Sequence, residues 1–86
     1  MSKLWIYGEP QFDGMELVMY PGQWGSNTIQ APISDINSVI NESSYTICGT
    51  SLQDRSRVYR FWPGGQWSYV GSPFSSDRPL NAFYRC

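Results

Sequence analysis

The sequence predicts an all-β protein folded as a pseudo-twofold β-sandwich, and three observations predict it. Six prolines and eight glycines interrupt an 86-residue chain, leaving segments too short for a helical hydrophobic period. Those segments are rich in β-branched and aromatic residues, and several alternate apolar with polar positions, as a half-buried strand requires. The chain also repeats itself after about 42 residues, a period that signals two copies of one supersecondary unit.

In chain order, the expected strands are Leu4–Tyr7, Met15–Tyr20, Ile36–Asn41, Tyr45–Cys48, Arg57–Trp62, Trp67–Val70 and Leu80–Tyr84. Alternation is clearest in Glu16-Leu17-Val18-Met19-Tyr20 and in Arg57-Val58-Tyr59-Arg60-Phe61. Between strands, Tyr20-Pro21-Gly22-Gln23-Trp24 has the chemistry of a turn: proline fixes φ, glycine permits positive φ, and tryptophan packs back over the core. The expected core is Trp5, Tyr7, Phe12, Leu17, Met19, Ile36, Val39, Ile47, Val58, Phe61, Leu80 and Phe83.

The repeat rests on four matches that keep their order. Ile6-Tyr7-Gly8 matches Ile47-Cys48-Gly49, and Tyr20-Pro21-Gly22-Gln23-Trp24 matches Trp62-Pro63-Gly64-Gly65-Gln66-Trp67. Ser34-Asp35 matches Ser76-Asp77, and Ile36-Asn37-Ser38-Val39 matches Leu80-Asn81-Ala82-Phe83. Each half holds about four strands and cannot cover both faces of a sheet by itself. Two halves packed face to face can. A single small barrel of the OB or SH3 kind is the alternative architecture, and two equal halves count against it.

Charge and composition narrow the function. Aromatic residues make up 16% of the chain and charged residues 15%, which argues for a packed domain rather than disorder. A net charge of −1 gives no electrostatic reason for a nucleic-acid partner. No segment is long and apolar enough to cross a membrane as a helix, and no secretory leader opens the chain as given, which implies a cytoplasmic protein or a mature secreted domain. The total hides an acidic first half (Lys3 against Glu9, Asp13, Glu16, Asp35 and Glu42) and a basic second half (Arg55, Arg57, Arg60, Arg78 and Arg85 against Asp54 and Asp77). The two are expected to attract each other across their interface.

Histidine is absent, which removes histidine-based nucleophilic, acid–base and zinc chemistry. No nucleophile elbow or phosphate-binding glycine loop is present, so a non-enzymatic role is expected. Cys48 and Cys86 fit either a disulfide or two free thiols. Free thiols are the favoured reading, with Cys48 packed as a small hydrophobe.

At Tyr7-Gly8-Glu9-Pro10-Gln11-Phe12-Asp13-Gly14 the sequence resembles the βγ-crystallin family. Its first-hairpin signature is an aromatic, four residues, an aromatic, one residue and glycine, carried here by Tyr7, Phe12 and Gly14. The resemblance implies one domain over residues 1–86 built of two Greek-key motifs, about 3–41 and about 44–86. It also implies that the first aromatic ring tucks against the glycine. Motif two departs from the signature, with Cys48, Gln53 and Arg55 at the three positions.

Microbial members of that family bind calcium through an Asn/Asp-Asn/Asp-x-x-Ser/Thr-Ser stretch in each motif. The matching stretches here are Ile33-Ser34-Asp35-Ile36-Asn37-Ser38 and Asp77-Arg78-Pro79-Leu80-Asn81-Ala82. The resemblance therefore nominates Asp35, Asn37, Asp77 and Asn81 as degenerate Ca²⁺ ligands. Ile33 and Arg78 displace expected oxygen donors, and calcium needs six to eight of them, so any binding is expected to be weak. The contrasting expectation is that these residues hold turns by hydrogen bonds.

Three function classes remain. The first is a non-catalytic structural or stress-related domain. The second is an inhibitor or toxin-like module that binds a protein partner through Arg55, Arg57 and Phe74, the last in the 72–79 loop. The third is carbohydrate binding on exposed tryptophans, with Trp24, Trp62 and Trp67 as the candidates.

Overall fold

Each expected strand has a counterpart in the computed structural model, which describes residues 2–86. The strands are β1 (Lys3–Glu9), β2 (Asp13–Met19), β3 (Ile29–Gln30), β4 (Ser38–Glu42), β5 (Ile47–Ser51), β6 (Asp54–Phe61), β7 (Gln66–Trp67) and β8 (Ala82–Arg85). The two-residue β3 is the one strand not anticipated. The Pro21-Gly22-Gln23 turn forms a single 3-10 turn with proline at its start, a position where the missing N–H costs nothing.

The strands make two antiparallel four-stranded sheets, ordered β2-β1-β4-β7 and β3-β8-β5-β6. Each sheet takes three strands from one half of the chain and its fourth from the other. The two-sheet arrangement replaces the barrel alternative. One apolar cluster lies between the sheets, with Leu4, Ile6, Met19, Val39 and Trp67 from the first and Ile47, Phe61 and Phe83 from the second. Phe61 sits at its centre, edge-on to Trp67 at 4.9 Å and tilted against Phe83 at 6.1 Å. At Gly49 side chains from neighbouring β6 and the run into β8 crowd in so closely that a Cβ would stand 2.6 Å from Leu80 and 2.8 Å from Phe61.

Strand alternation decides which expected core residues are inside. Tyr7, Met19, Ile36, Val39, Ile47, Phe61, Leu80 and Phe83 are buried. Because Leu4 and Ile6 face inward, Trp5 faces out and is only half-buried. Phe12 and Leu17 are also half-buried. Val58 is a correction: it is 37% exposed on the outer side of edge strand β6, where Tyr59 and Phe61 take the inward positions.

The free-thiol reading is also corrected, since Cys48 and Cys86 form a disulfide with a Cα–Cα distance of 5.7 Å. Register explains it. Cys48 lies opposite Tyr84 across β5 and β8, and the Cys86 N–H donates to the Thr46 carbonyl at 3.1 Å. Cys86 thus becomes a diagonal neighbour of Cys48 on the same face, within side-chain reach.

The expected attraction between acidic and basic halves takes no form of direct pairing. Arg57–Asp54 (3.1 Å), Arg78–Asp54 (3.5 Å) and Arg78–Asp77 (2.7 Å) all lie within the second half. Among the described residues no ion pair joins the two halves. Polar bonds do that instead, chiefly through Asn41, whose amide donates to the Tyr45 and Phe61 carbonyls, each at 2.9 Å.

Candidate functional site

Residues nominated from the sequence converge at one place, a cleft of about 130 Å³ lined by Asp35, Asn37, Tyr69, Phe74, Ser75 and Ser76, among others. The turn before β4 supplies Asp35 and Asn37. The 70–76 segment closes over them, fixed by the Val70 N–H donating to the Asn37 carbonyl at 2.8 Å. The cleft has one carboxylate, Asp35. Among the described residues no three histidine, cysteine, aspartate or glutamate side chains gather in a metal-holding group.

The Asn37 amide is turned toward the β1–β2 hairpin, donating to the Gly8 carbonyl at 2.9 Å, and its backbone N–H donates to Tyr7. Next to it, the Ser38 hydroxyl accepts from the Phe12 N–H at 3.0 Å and donates to the Glu9 carbonyl at 2.7 Å. Asn81 does the same for the β5–β6 hairpin. Its amide oxygen accepts the Leu52 N–H at 2.9 Å and its NH2 donates to Gln53 at 2.7 Å. Both asparagines hold hairpins by hydrogen bonds. Asp77 lies outside the cleft lining, accepting from the Ser75 hydroxyl and Arg78, each at 2.7 Å. The Ser75 bond first, with the Arg78 charge adding to it, holds its carboxyl below the usual carboxylate range.

The hairpin residues Tyr7 and Phe12 meet edge-to-face with centroids 5.6 Å apart. Gln11 and Phe12 both adopt positive φ, and Gly14 has φ +74°. The space at Gly14 belongs to Glu9: an added Cβ would lie 2.6 Å from Glu9 Cγ and 3.1 Å from its backbone nitrogen. The nearest atoms to such a Cβ are all from Glu9, and the positive φ adds a backbone reason for glycine at this position.

Of the three residues nominated for partner contact, Arg57 is occupied internally, bonding Asp54 at 3.1 Å and the Pro73 carbonyl at 2.7 Å. Arg55 reaches Thr28 at 3.0 Å, and Phe74 packs on the core beside the cleft. Trp24 and Trp67 are buried, so neither forms a carbohydrate platform, whereas Trp62 is 59% exposed and packed on Trp67 at 4.7 Å.

A second feature escaped the sequence reading. The outer face of the first sheet carries an open concavity of about 290 Å³ lined by Trp5, Tyr7, Glu16, Ile40, Glu42 and Gln66. Cross-strand pairing assembles it: Trp5 lies between Val18 and Ile40, Tyr7 between Glu16 and Ser38, and Gln66 beside Ile40. The Trp5 indole N–H donates to Glu42, and Tyr7 stands beside Glu16 across the strands. Burial first, then the Glu16 carboxylate and the charge of Glu42, push the Tyr7 phenol up to about 12. The signal was present in the outward parity of Trp5 and Tyr7, once Leu4 and Ile6 are assigned inward. Comparison with protein-family models, characterised proteins and solved structures finds no match for this chain.

Proposed function

We propose that the chain is a βγ-crystallin-like domain, two Greek-key motifs related by a pseudo-twofold axis, with a non-catalytic structural or stress-related role and at most weak calcium binding. The observation that carries the reading is the strand exchange. The sheet orders β2-β1-β4-β7 and β6-β5-β8-β3 become the same order when β5–β8 are counted as a second β1–β4. Such an exchange makes each half incomplete without the other, which suits a scaffold that must open only as a whole.

Register supports the same reading and refines the repeat. Tyr7 stands opposite Glu16 and Ser38, while Thr50 stands opposite Val58 and Ala82. Thr50 therefore takes the place of Tyr7, two residues beyond the match at Cys48. Its hydroxyl donates to the Arg57 carbonyl at 2.8 Å, a polar substitute for the aromatic corner of motif one. Asn37 and Asn81 then occupy corresponding places and do corresponding work on their hairpins.

Calcium separates this role from that of a calcium-dependent module, because a ligand that binds only the folded state raises its stability. Thermal unfolding in millimolar calcium and in excess chelator is expected to differ by less than about 2 °C. A rise of about 10 °C or more, lost in an Asn37→Ala, Asn81→Ala double variant, overturns the structural reading in favour of a calcium-built fold.

A further inference from the structure

We propose that the concave outer face of the first sheet docks a basic protein segment, with an arginine or lysine side chain seated over Trp5 between Glu16 and Glu42. This goes beyond the structural role and does not depend on it.

The concavity is rich in acceptors and poor in free donors. The Trp5 N–H is spent on Glu42 and Tyr7 lies beside its cross-strand neighbour Glu16, so carboxylate oxygens and the Gln66 side chain line the concavity. A neutral saccharide asks for donors and acceptors in mixture, whereas an ammonium or guanidinium is donor-only and positively charged. The aromatic floor also suits a cation, which is drawn to the face of an indole. The face already holds one: the Lys3 ammonium stands 5.5 Å from the Trp5 ring centroid. Among the described residues Lys3 is the cationic side chain that the register places on this face, on the same strand as Trp5 and across from Glu42. Neither Glu16 nor Glu42 is in an ion pair with it or any arginine among the described residues. The charge is therefore available to a partner.

The probe is a hexa-arginine peptide titrated into the isotopically labelled protein, read at the Trp5 indole N–H resonance. Saturable shifts centred on Trp5 and Tyr7 are expected, weakened about tenfold or more in Glu16→Gln, Glu42→Gln protein and by raising salt from about 0.05 to 0.5 M. Lys3→Ala should tighten binding about twofold by removing the resident cation. Glu16→Gln alone, which leaves the Trp5–Glu42 bond in place, guards against misfolding of the double variant. Several outcomes overturn the proposal: no shift at millimolar peptide, shifts that ignore both glutamates, or shifts centred elsewhere. A neutral oligosaccharide that moves the Trp5 resonance where hexa-arginine does not also overturns it, assigning the face to sugars. Concentration-dependent self-association abolished by the glutamate variants, with no response to peptide, assigns the face to a second copy of the chain and likewise overturns it.

Discussion

The side-chain amide of Asn41 donates to the Phe61 carbonyl at 2.9 Å and so ties the end of β4 to the end of β6. The same buried side chain donates to Tyr45 at 2.9 Å and accepts from the Ser43 N–H at 3.0 Å and the Ser43 hydroxyl at 2.7 Å. Its backbone is bonded to Gly64 and Gly65. One residue therefore satisfies the connection between the halves and the loop after β6. Asn41→Ala strands the Phe61 carbonyl in the interior, and an unpaired buried acceptor costs more than a hydrogen bond is worth on balance. Loss of about 2–4 kcal/mol is expected, seen as a lower urea midpoint with an unchanged slope.

The disulfide between Cys48 and Cys86 spans 38 residues, so it restrains most of the second half in the unfolded chain. Closing a loop of that size stabilises by roughly 4 kcal/mol in the chain-entropy account. Urea unfolding with and without reductant should show a loss of that order, and Cys86→Ser should match the reduced wild type. Equal midpoints in both conditions would show that the bridge does not form in solution.

These two features show where sequence reading stops. The strands are legible because alternation is local, but the inward face is not: the expected core names Trp5 and Val58, whereas Leu4, Ile6 and Tyr59 take the inward positions. The two-residue β3 is not legible either, since Ile29–Gln30 becomes a strand only by lying against Phe83 and Ala82. Cys48 and Cys86 offered two readings until the β5–β8 register set them side by side. Asn41 read as an ordinary strand end, because its partners lie 20 residues away and in the adjacent turn. The βγ-crystallin resemblance nominates Asn37 and Asn81 as degenerate ligands against the expectation that they hold turns, and in the structure each bonds a hairpin. Trp5 is expected in the core, and its parity against the buried Leu4 and Ile6 places it on the outer face.

Glycines 14 and 49 separate two reasons for lacking a side chain. Gly14 sits at φ +74° beside Glu9, whereas Gly49 has ordinary φ but faces Leu80, Phe61 and Phe83. Gly14→Val combines backbone strain with a clash and is expected to cost about 2 kcal/mol, with faster hydrogen exchange concentrated in the β1–β2 hairpin. Gly49→Ala forces a methyl into a packed interior and should cost about 1–3 kcal/mol, spread over the whole core. Equal stability of Gly14→Val and wild type in urea would remove the hairpin assignment.

Tyr7 makes stability depend on pH at the alkaline end. Its phenol is raised from 10.0 to about 12 by burial and by Glu16 and Glu42. Above pH 10 the unfolded chain gives up this proton while the folded chain keeps it, so the unfolded state binds fewer protons and stability falls with rising pH. The contribution is fully present below pH 10 and is lost as pH climbs through 12. Tyr7→Phe should remove that slope, and Glu16→Gln should reduce it by deleting the neighbouring carboxylate. Absorbance titration of the tyrosines in the folded protein supplies the direct check: one of the six should ionise late in wild type, and that late step should vanish in Tyr7→Phe. If Tyr7→Phe keeps the late step, the carboxylates on the outer face of the first sheet are not acting on this phenol.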